Sequence, residues 1–440
     1  MAPSRQRGLP RLLSAQLPFF YGWVVLGCLC CAGFARQGGA VATLSVFVEP
    51  LTREFGWSRT ALSGAVSLGG LLAALCAPLI GPMVDRHGSR AALCLAVLGT
   101  GVALLLLSLT GSLPVFYLLF CIARMNWAGP FDLGIYSALN NWFVARRAAA
   151  TSIATVAQMA GLVAMPLIAE VAMRRHGWRA GWLAIGVSVI VIGLLPVWLL
   201  IVRRPEDLGL EPDRRVPPSP GPGSAAAPAA TALAATALAA TALVQANFTR
   251  RQAVRTAAFW LLLLYTVLVY PVQAGVSLHQ AANLVEHGVS ATAAASIVSL
   301  FSLMSGVASA GCGLLPRSWP IKYALMATGA LLVAGTTLMI GISSTAQGAV
   351  AGAVFGLGIG GVLTLLPIAW AEYFGRTNYG AIRGLVLSAQ VLAQAAGPLV
   401  SGVLRDRTGS YALPLECFAA LSVLSIAAAF AARRPRLTPG

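Results

Sequence analysis

The feature that most constrains this chain is an internal repeat. Landmarks of the first half recur about 232 residues later, in a sequence dominated by apolar runs. Gly56-x-Ser58-x-Thr60-Ala61 returns as Gly288-x-Ser290-x-Thr292-Ala293. Gly81 returns as Gly313, Gly129 as Gly361, Pro166 as Pro398 and Gly177 as Gly409, while Trp142-Phe143 returns as Tyr373-Phe374, one residue out of step. A common offset along the whole length means two homologous halves. Membrane halves paired in this way enclose a mid-membrane site in many secondary transporters.

The composition sets the solvent. Of 440 residues, 58% are hydrophobic and only 10% charged, where a soluble domain carries about 25%. Apolar runs long enough to cross a bilayer, about 20 residues, fall near 20–47, 59–80, 91–110, 113–136, 148–172, 182–202, 257–284, 291–315, 322–342, 346–370, 380–404 and 412–432. These are twelve spans, six per half. Their length and the lack of period-2 alternation predict helices rather than barrel strands. The expected fold is an all-α membrane protein of twelve transmembrane helices in two six-helix pseudo-symmetric halves. The expected organisation is 1–202 as the N-terminal half, 203–256 as a linker and 257–440 as the C-terminal half. The linker runs from Arg203-Arg204-Pro205-Glu206-Asp207 through a Pro-rich stretch into three Thr-Ala-Leu copies at 231, 236 and 241, the composition of a tether.

A net charge of +17 raises the question of nucleic acid. Its distribution argues against it. With loops assigned alternately to two sides, 21 basic residues fall on the side of the termini and 7 on the other, with Arg36 and Arg124 left inside spans. The positive-inside rule then predicts both termini in the cytoplasm, and a bacterial inner membrane is the expected location. All eight cysteines lie in apolar spans without metal-ligand spacing, so they read as small buried hydrophobes. No nucleotide-binding loop, catalytic triad or dinucleotide fingerprint occurs. The chain is expected to be no enzyme, to use no cofactor or metal, and to work as a monomer driven by ion or substrate gradients.

Within the spans, charge is costly and therefore informative. Arg36 lies 16 residues beyond Phe20, roughly 24 Å along a helix and past the midplane. Arg124 lies 10 residues beyond Pro114, roughly 15 Å in. An arginine so deep costs at least about 2.5–3.5 kcal/mol and needs a polar cavity or partner. At the repeat offset the two correspond to Leu268 and Gly356, so the architecture requires neither charge. Asp132 is the one acid well inside a span. Two arginines against one aspartate predict a net positive site, whose simplest partner is a small organic anion held by guanidinium hydrogen bonds. Tyr270 and Gln273 on span seven, with Gln37 beside Arg36, are further substrate-contact candidates. Asp132 and His279 are the candidate proton sites, although His279 sits roughly 30 Å along span seven, at its outer mouth. The glycines of span ten (Gly352, Gly356, Gly358, Gly360, Gly361) predict close helix approach.

The loop Gly81-Pro82-Met83-Val84-Asp85-Arg86-His87-Gly88-Ser89-Arg90 resembles the GxxxDRxGRR signature of the major facilitator superfamily (MFS). The resemblance implies the MFS fold and a gating latch formed by Gly81, Asp85, Arg86, Gly88 and Arg90. In that scheme Asp85 faces the N-terminal end of span eleven and Arg90 reaches Asp132. In the second half the latch is degraded, with Arg317 and Pro320 at the positions equivalent to Asp85 and Gly88. Tyr21-Gly22-Trp23, Asn141-Trp142-Phe143, Arg204-Pro205-Glu206-Asp207-Leu208-Gly209-Leu210, Tyr373-Phe374-Gly375-Arg376 and Asp406-Arg407-Thr408-Gly409-Ser410-Tyr411 together are similar to the monocarboxylate-transporter and oxalate/formate-antiporter branch. That implies a monocarboxylate or similar anion, coupled to a proton or to an exchanged anion. In the family, spans one, four, seven and ten line the cavity. Animal members carry an Asp/Arg pair in span eight and a Lys in span one. Here span eight has no charge before Arg317 and span one has an Arg but no Lys, so lactate-like substrates do not carry over. The alternatives are efflux of hydrophobic compounds by proton antiport, with Asp132 essential, and a receptor of the same fold that binds without transport.

Overall fold

The computed structural model describes residues 9–213, 247–315 and 319–435. The Thr-Ala-Leu repeat and Arg317 lie outside the described residues. Every regular element among the described residues is helical. Among the described residues, nine helices are long and apolar enough to cross a membrane. One of them, Arg147–Leu200, is two spans merged across non-helical backbone at His176 and Gly177. Span four is broken into Leu113–Ala128 and Pro130–Trp142, and span eight, Ala291–Cys312, has a shorter apolar stretch, Ser296–Cys312. With these, helices occupy all twelve predicted positions.

The outer faces are apolar in helical register. Leu71, Leu75 and Leu79 on span two are 43%, 65% and 75% exposed, an arrangement suited to lipid and costly in water. One core is built from residues between Tyr21 and Val202, with Phe47 stacked on Trp182 at 3.7 Å. A second runs from Phe248 to Ala432 and takes in Tyr136 from the first half.

The repeat is visible in the turns and caps. Gly56 and Gly288 have φ of 67° and 80°, and Gly177 and Gly409 have 78° and 73°, so each pair ends or joins helices in the left-handed region that only glycine adopts cheaply. Ser58 Oγ accepts from Ala61 N at 3.1 Å, and Ser290 Oγ accepts from Ala293 N at 3.3 Å, the same N-cap in each half. Trp142 Nε1 donates to Val202 O at the end of span six, while Tyr373 Oη donates to Ala432 O at the end of span twelve. The glycines of span ten permit close approach: a Cβ at Gly360 would stand 2.0 Å from Ser305 O and one at Gly356 2.4 Å from Phe301 O.

The halves meet along span two (Arg59–His87) against span eleven (Tyr379–Thr408), and along span five against span eight. Gly81 packs on the backbone of Gly380, and Gly384 packs on Ala77 O. Ala77, Val84, Leu133 and Leu387 form a small apolar cluster between the halves. On the terminal side, Arg376 donates to Asn141 O at 2.8 Å and pairs with Glu206 at 2.5 Å. Asp213 accepts from the backbone N–H groups of Val144, Ala145 (2.9 Å) and Arg146 (2.7 Å), so the first linker residues are part of the closed face.

Candidate functional site

A cavity of about 300 Å³ lies between the halves. Arg36 and Gln37 of span one line it, as do Trp127, Asp132 and Tyr136 of span four, and Tyr270 and Gln273 of span seven. Spans five, eight and eleven also contribute, with Gln158, Ser305 and Arg383 among their residues.

Broken helices shape the charged end. Span one stops at Arg36, passes through a 3-10 turn at Gln37–Gly39 and resumes at Val41. Span four stops at Ala128 and restarts at Pro130. A helix end leaves carbonyls without helical donors, and Arg36 uses one: its Nε donates to Trp127 O at 2.8 Å. Its Nη1 donates to Gln158 Oε1 at 2.8 Å. Asp132 sits in the first turn of Pro130–Trp142, where the helix dipole favours an acid. Trp127 Nε1 donates to Gln37 Oε1 at 3.1 Å, so Gln37 braces the ring that Arg36 covers at 4.6 Å.

Asp132 holds two arginines loosely. Oδ1 is 3.6 Å from Arg36 Nη2 and Oδ2 is 3.5 Å from Arg383 Nη2. Both separations exceed a good hydrogen bond. Arg383 is only 1% exposed; its Nη2 donates to Gln390 Oε1 at 2.7 Å, and its Nε and Nη1 have no hydrogen-bond partner among the described residues. The site is thus one carboxylate between two guanidiniums, one from each half.

Several expectations are corrected here. Arg383, counted above among the basic residues of the terminal side, is buried within span eleven, which leaves 20 there against 7. Arg90 does not pair with Asp132, because Arg36 and Arg383 occupy that carboxylate. Arg124 does not line the cavity: its guanidinium lies 4.1 Å from the centre of the Trp127 ring, and its stem packs on Gly69. His279 is also set apart. Its Nδ1 is 3.2 Å from Tyr411 Oη and its Nε2 3.4 Å from Pro398 O, within the C-terminal half. Tyr270 and Gln273 do reach the cavity, and Gln273 Oε1 accepts from Gln394 at 3.0 Å.

Sequence reasoning missed Gln158, Tyr136 and the whole span-eleven face. Arg383, Gln390 and Gln394 stand at i, i+7 and i+11, a polar helical stripe in an apolar span, and that spacing was the available signal.

The latch residues form a separate cluster on the terminal side. Asp85 Oδ1 accepts from Gly380 N at 2.9 Å and Oδ2 from Ala381 N at 2.7 Å, at the N-terminus of span eleven. Arg203 donates to Asp85 O and packs on Gly88. Arg86 is exposed and Arg90 is half-buried.

These features define a class: a multi-pass membrane protein with a solute-sized charged chamber between two related six-helix halves. The family model described as Major Facilitator Superfamily matches residues 25–284, and the chain belongs to that superfamily. It is a transporter of that superfamily and not an enzyme. It is 26% identical to monocarboxylate transporter 11 of Homo sapiens over 409 residues, covering 89% of this chain and 78% of that one. It is 29% identical to monocarboxylate transporter 4 of Gallus gallus over 170 residues, which is 38% of this chain and only 35% of that protein's length. It is also 25% identical to the membrane sensor protein UhpC of Escherichia coli (strain K12) over 376 residues, covering 81% of this chain and 80% of that one. Among solved structures, the fold is similar to the human organic anion transporter MFSD10 (TM-score 0.70, 18% identity, covering 94% of this chain and 100% of that one). It is similar as well to the proton:xylose symporter XylE (TM-score 0.69, 13% identity, covering 92% of this chain and 94% of that one).

Proposed function

We propose that the protein is a secondary active transporter of a small organic anion, a monocarboxylate or close relative, working by alternating access. One observation carries the reading: Arg36 and Arg383, from opposite halves, converge on the single carboxylate of Asp132 inside the inter-half cavity. Two buried cations against one anion leave a surplus that costs free energy until a negative group enters. A carboxylate can accept a charge-assisted hydrogen bond from the unpartnered Nε or Nη1 of Arg383. A ligand held there fills a cavity that residues of both halves line, so it binds the two gate states unequally, which is what a carrier requires. The named monocarboxylate transporters among its relatives support the same class.

Proton symport is the coupling mode we favour. Anion import against a negative-inside potential costs about 2.3 kcal/mol per charge per 100 mV. Protonation of Asp132 would release both arginines to the substrate and carry the compensating charge. His279 has no part in this scheme. Asp85 acts as the latch, its carboxylate holding the N-terminus of span eleven against span two. With the termini and the linker in the cytoplasm of a bacterial inner membrane, the described state is closed to the cytoplasm. The halves 1–202 and 257–440 rock about the cavity as units, and the carrier works as a monomer.

The test is counterflow in proteoliposomes with a panel of labelled monocarboxylates, with and without an inward proton gradient. Counterflow that an acid exterior accelerates is expected. Extrusion of lipophilic compounds with no carboxylate exchange would refute the anion reading, and carboxylate binding without counterflow would move the protein to the sensors.

A further inference from the structure

The polar groups of the cavity are largely spent on one another. Arg36 is bonded to Gln158 and Trp127 O, Gln37 to Trp127, Gln273 to Gln394, and Arg383 Nη2 to Gln390. Among the described residues, the charged cavity donors without a partner are Nε and Nη1 of Arg383, which is itself almost fully buried; Arg36 Nη2 has only the loose 3.6 Å contact with Asp132, and the Ser277 hydroxyl is also unpaired. What the cavity otherwise offers a solute is mostly carbon. The carbon is arranged in ladders that start at the charged end. On span eleven, Leu387 and Val391 follow Arg383 at i+4 and i+8, roughly 6 and 12 Å along the axis. On span ten, which runs the other way, Leu363 and Ile359 lie at the same spacing from Pro367.

We infer that the substrate is an amphiphilic monoanion: one carboxylate on Arg383, and an apolar body, branched, aromatic or a medium alkyl chain, along the Leu387–Val391 and Ile359–Leu363 ladders. The inference rests on the anion reading above and narrows it. A second anionic or strongly polar end would have to lie against these ladders. There it would lose its water for little more than the neutral hydroxyl of Ser277 in return. A short acid would fill the charged end and leave the ladders unused. The volume of about 300 Å³ is at the small end of ligand pockets, which suits a compact body with one polar head.

The test is equilibrium binding by competition calorimetry on the purified full-length protein in detergent, which avoids passive leak of lipophilic acids. The probes are acetate, butyrate, hexanoate, phenylacetate and succinate. Affinity should rise from acetate to hexanoate by roughly four-fold per methylene, phenylacetate should rank with hexanoate, and succinate should bind more weakly than butyrate. Val391→Thr keeps the shape and adds a hydroxyl to the ladder. It should weaken hexanoate by at least about four-fold relative to acetate. A flat series, a falling one or a preference for succinate overturns the inference while leaving an anion carrier standing. Binding of no carboxylate at all overturns the inference and the anion reading together.

Discussion

Asp85→Asn tests the latch at the atom that makes it. The two oxygens of Asp85 accept from consecutive backbone N–H groups at the start of span eleven, at 2.9 and 2.7 Å. Asparagine keeps one acceptor and turns an NH₂ toward the other N–H, so one charge-assisted bond is lost. It also removes a negative charge from the positive end of a 30-residue helix. A hydrogen bond to a charged group is worth about 1.5–3 kcal/mol and the dipole contact about 0.3–1 kcal/mol. Asp85 is half-buried and Asn retains half of the contact, so a net shift of about 1–3 kcal/mol is expected. That is roughly a 5- to 150-fold change in the balance between closed and open states. The readout is maleimide labelling of Val84→Cys, in a background without the native cysteines. Val84 is 2% exposed, in the apolar cluster between the halves beneath the latch. Labelling from the terminal side should accelerate by that factor in Asp85→Asn while affinity for the anion at the cavity stays within about two-fold. Equal labelling rates and equal transport would show that the loop is only a positive-inside anchor, and the gating role would fall.

The arginines should separate by position. Arg36→Gln and Arg383→Gln should each weaken carboxylate binding by about ten- to hundred-fold, the worth of a bond to a charged group, measured by calorimetry on protein that still runs as a monodisperse peak; Arg124→Gln, outside the cavity lining, should change it by less than about three-fold. Gly360→Val should lower the melting midpoint, because its Cβ meets the backbone oxygen of Ser305 and the helices must part at a cost of about 1–3 kcal/mol, whereas Gly402→Val, with nothing within 4 Å, should not. Tags at either terminus and at position 225 should be accessible from the same side of the membrane, since an even number of spans separates them; labelling of 225 alone from the other side would break the twelve-span scheme.

The architecture was readable because it is written in long, redundant signals. Twelve apolar runs each carry many residues of evidence, and a wrong boundary moves a helix end without removing the helix. The site was only partly readable because it depends on which side of a helix a single residue faces. Arg383 lies four residues into span eleven, close enough to the boundary that charge alone assigns it to a loop. Its side chain turns into the inter-half cavity beside Asp132 of span four, a tertiary fact. Arg124 shows the opposite case. Depth in an apolar run signals a buried cation, yet its solution is local: it lies over Trp127 and packs on Gly69. The ring lies three residues on along the same helix, and that i, i+3 spacing was the available signal.

The repeat itself separates scaffold from function. Positions that cap and turn helices keep their partners: Gly56 and Gly288, Gly177 and Gly409, Ser58 and Ser290, Trp142 and Tyr373. The charged positions do not. At the offset, Arg36 faces Leu268, Asp132 faces Thr364, and Arg383 faces Thr151. Backbone continuity diverges at the same places. Spans one and four are broken beside Arg36 and Asp132, while their counterparts Ala257–Glu286 and Thr345–Phe374 are continuous. The packing of Arg124 also differs across the repeat. The stem of Arg124 packs on Gly69, and at the equivalent contact Gly356 packs on the backbone of Phe301. A duplicated carrier must keep whatever lets the halves fold and rock alike. It is free to differ where the solute is held, and it differs at the latch and at Arg124 as well. The asymmetric residues that line the cavity are therefore the ones to substitute first, with Arg124 and the symmetric positions as controls.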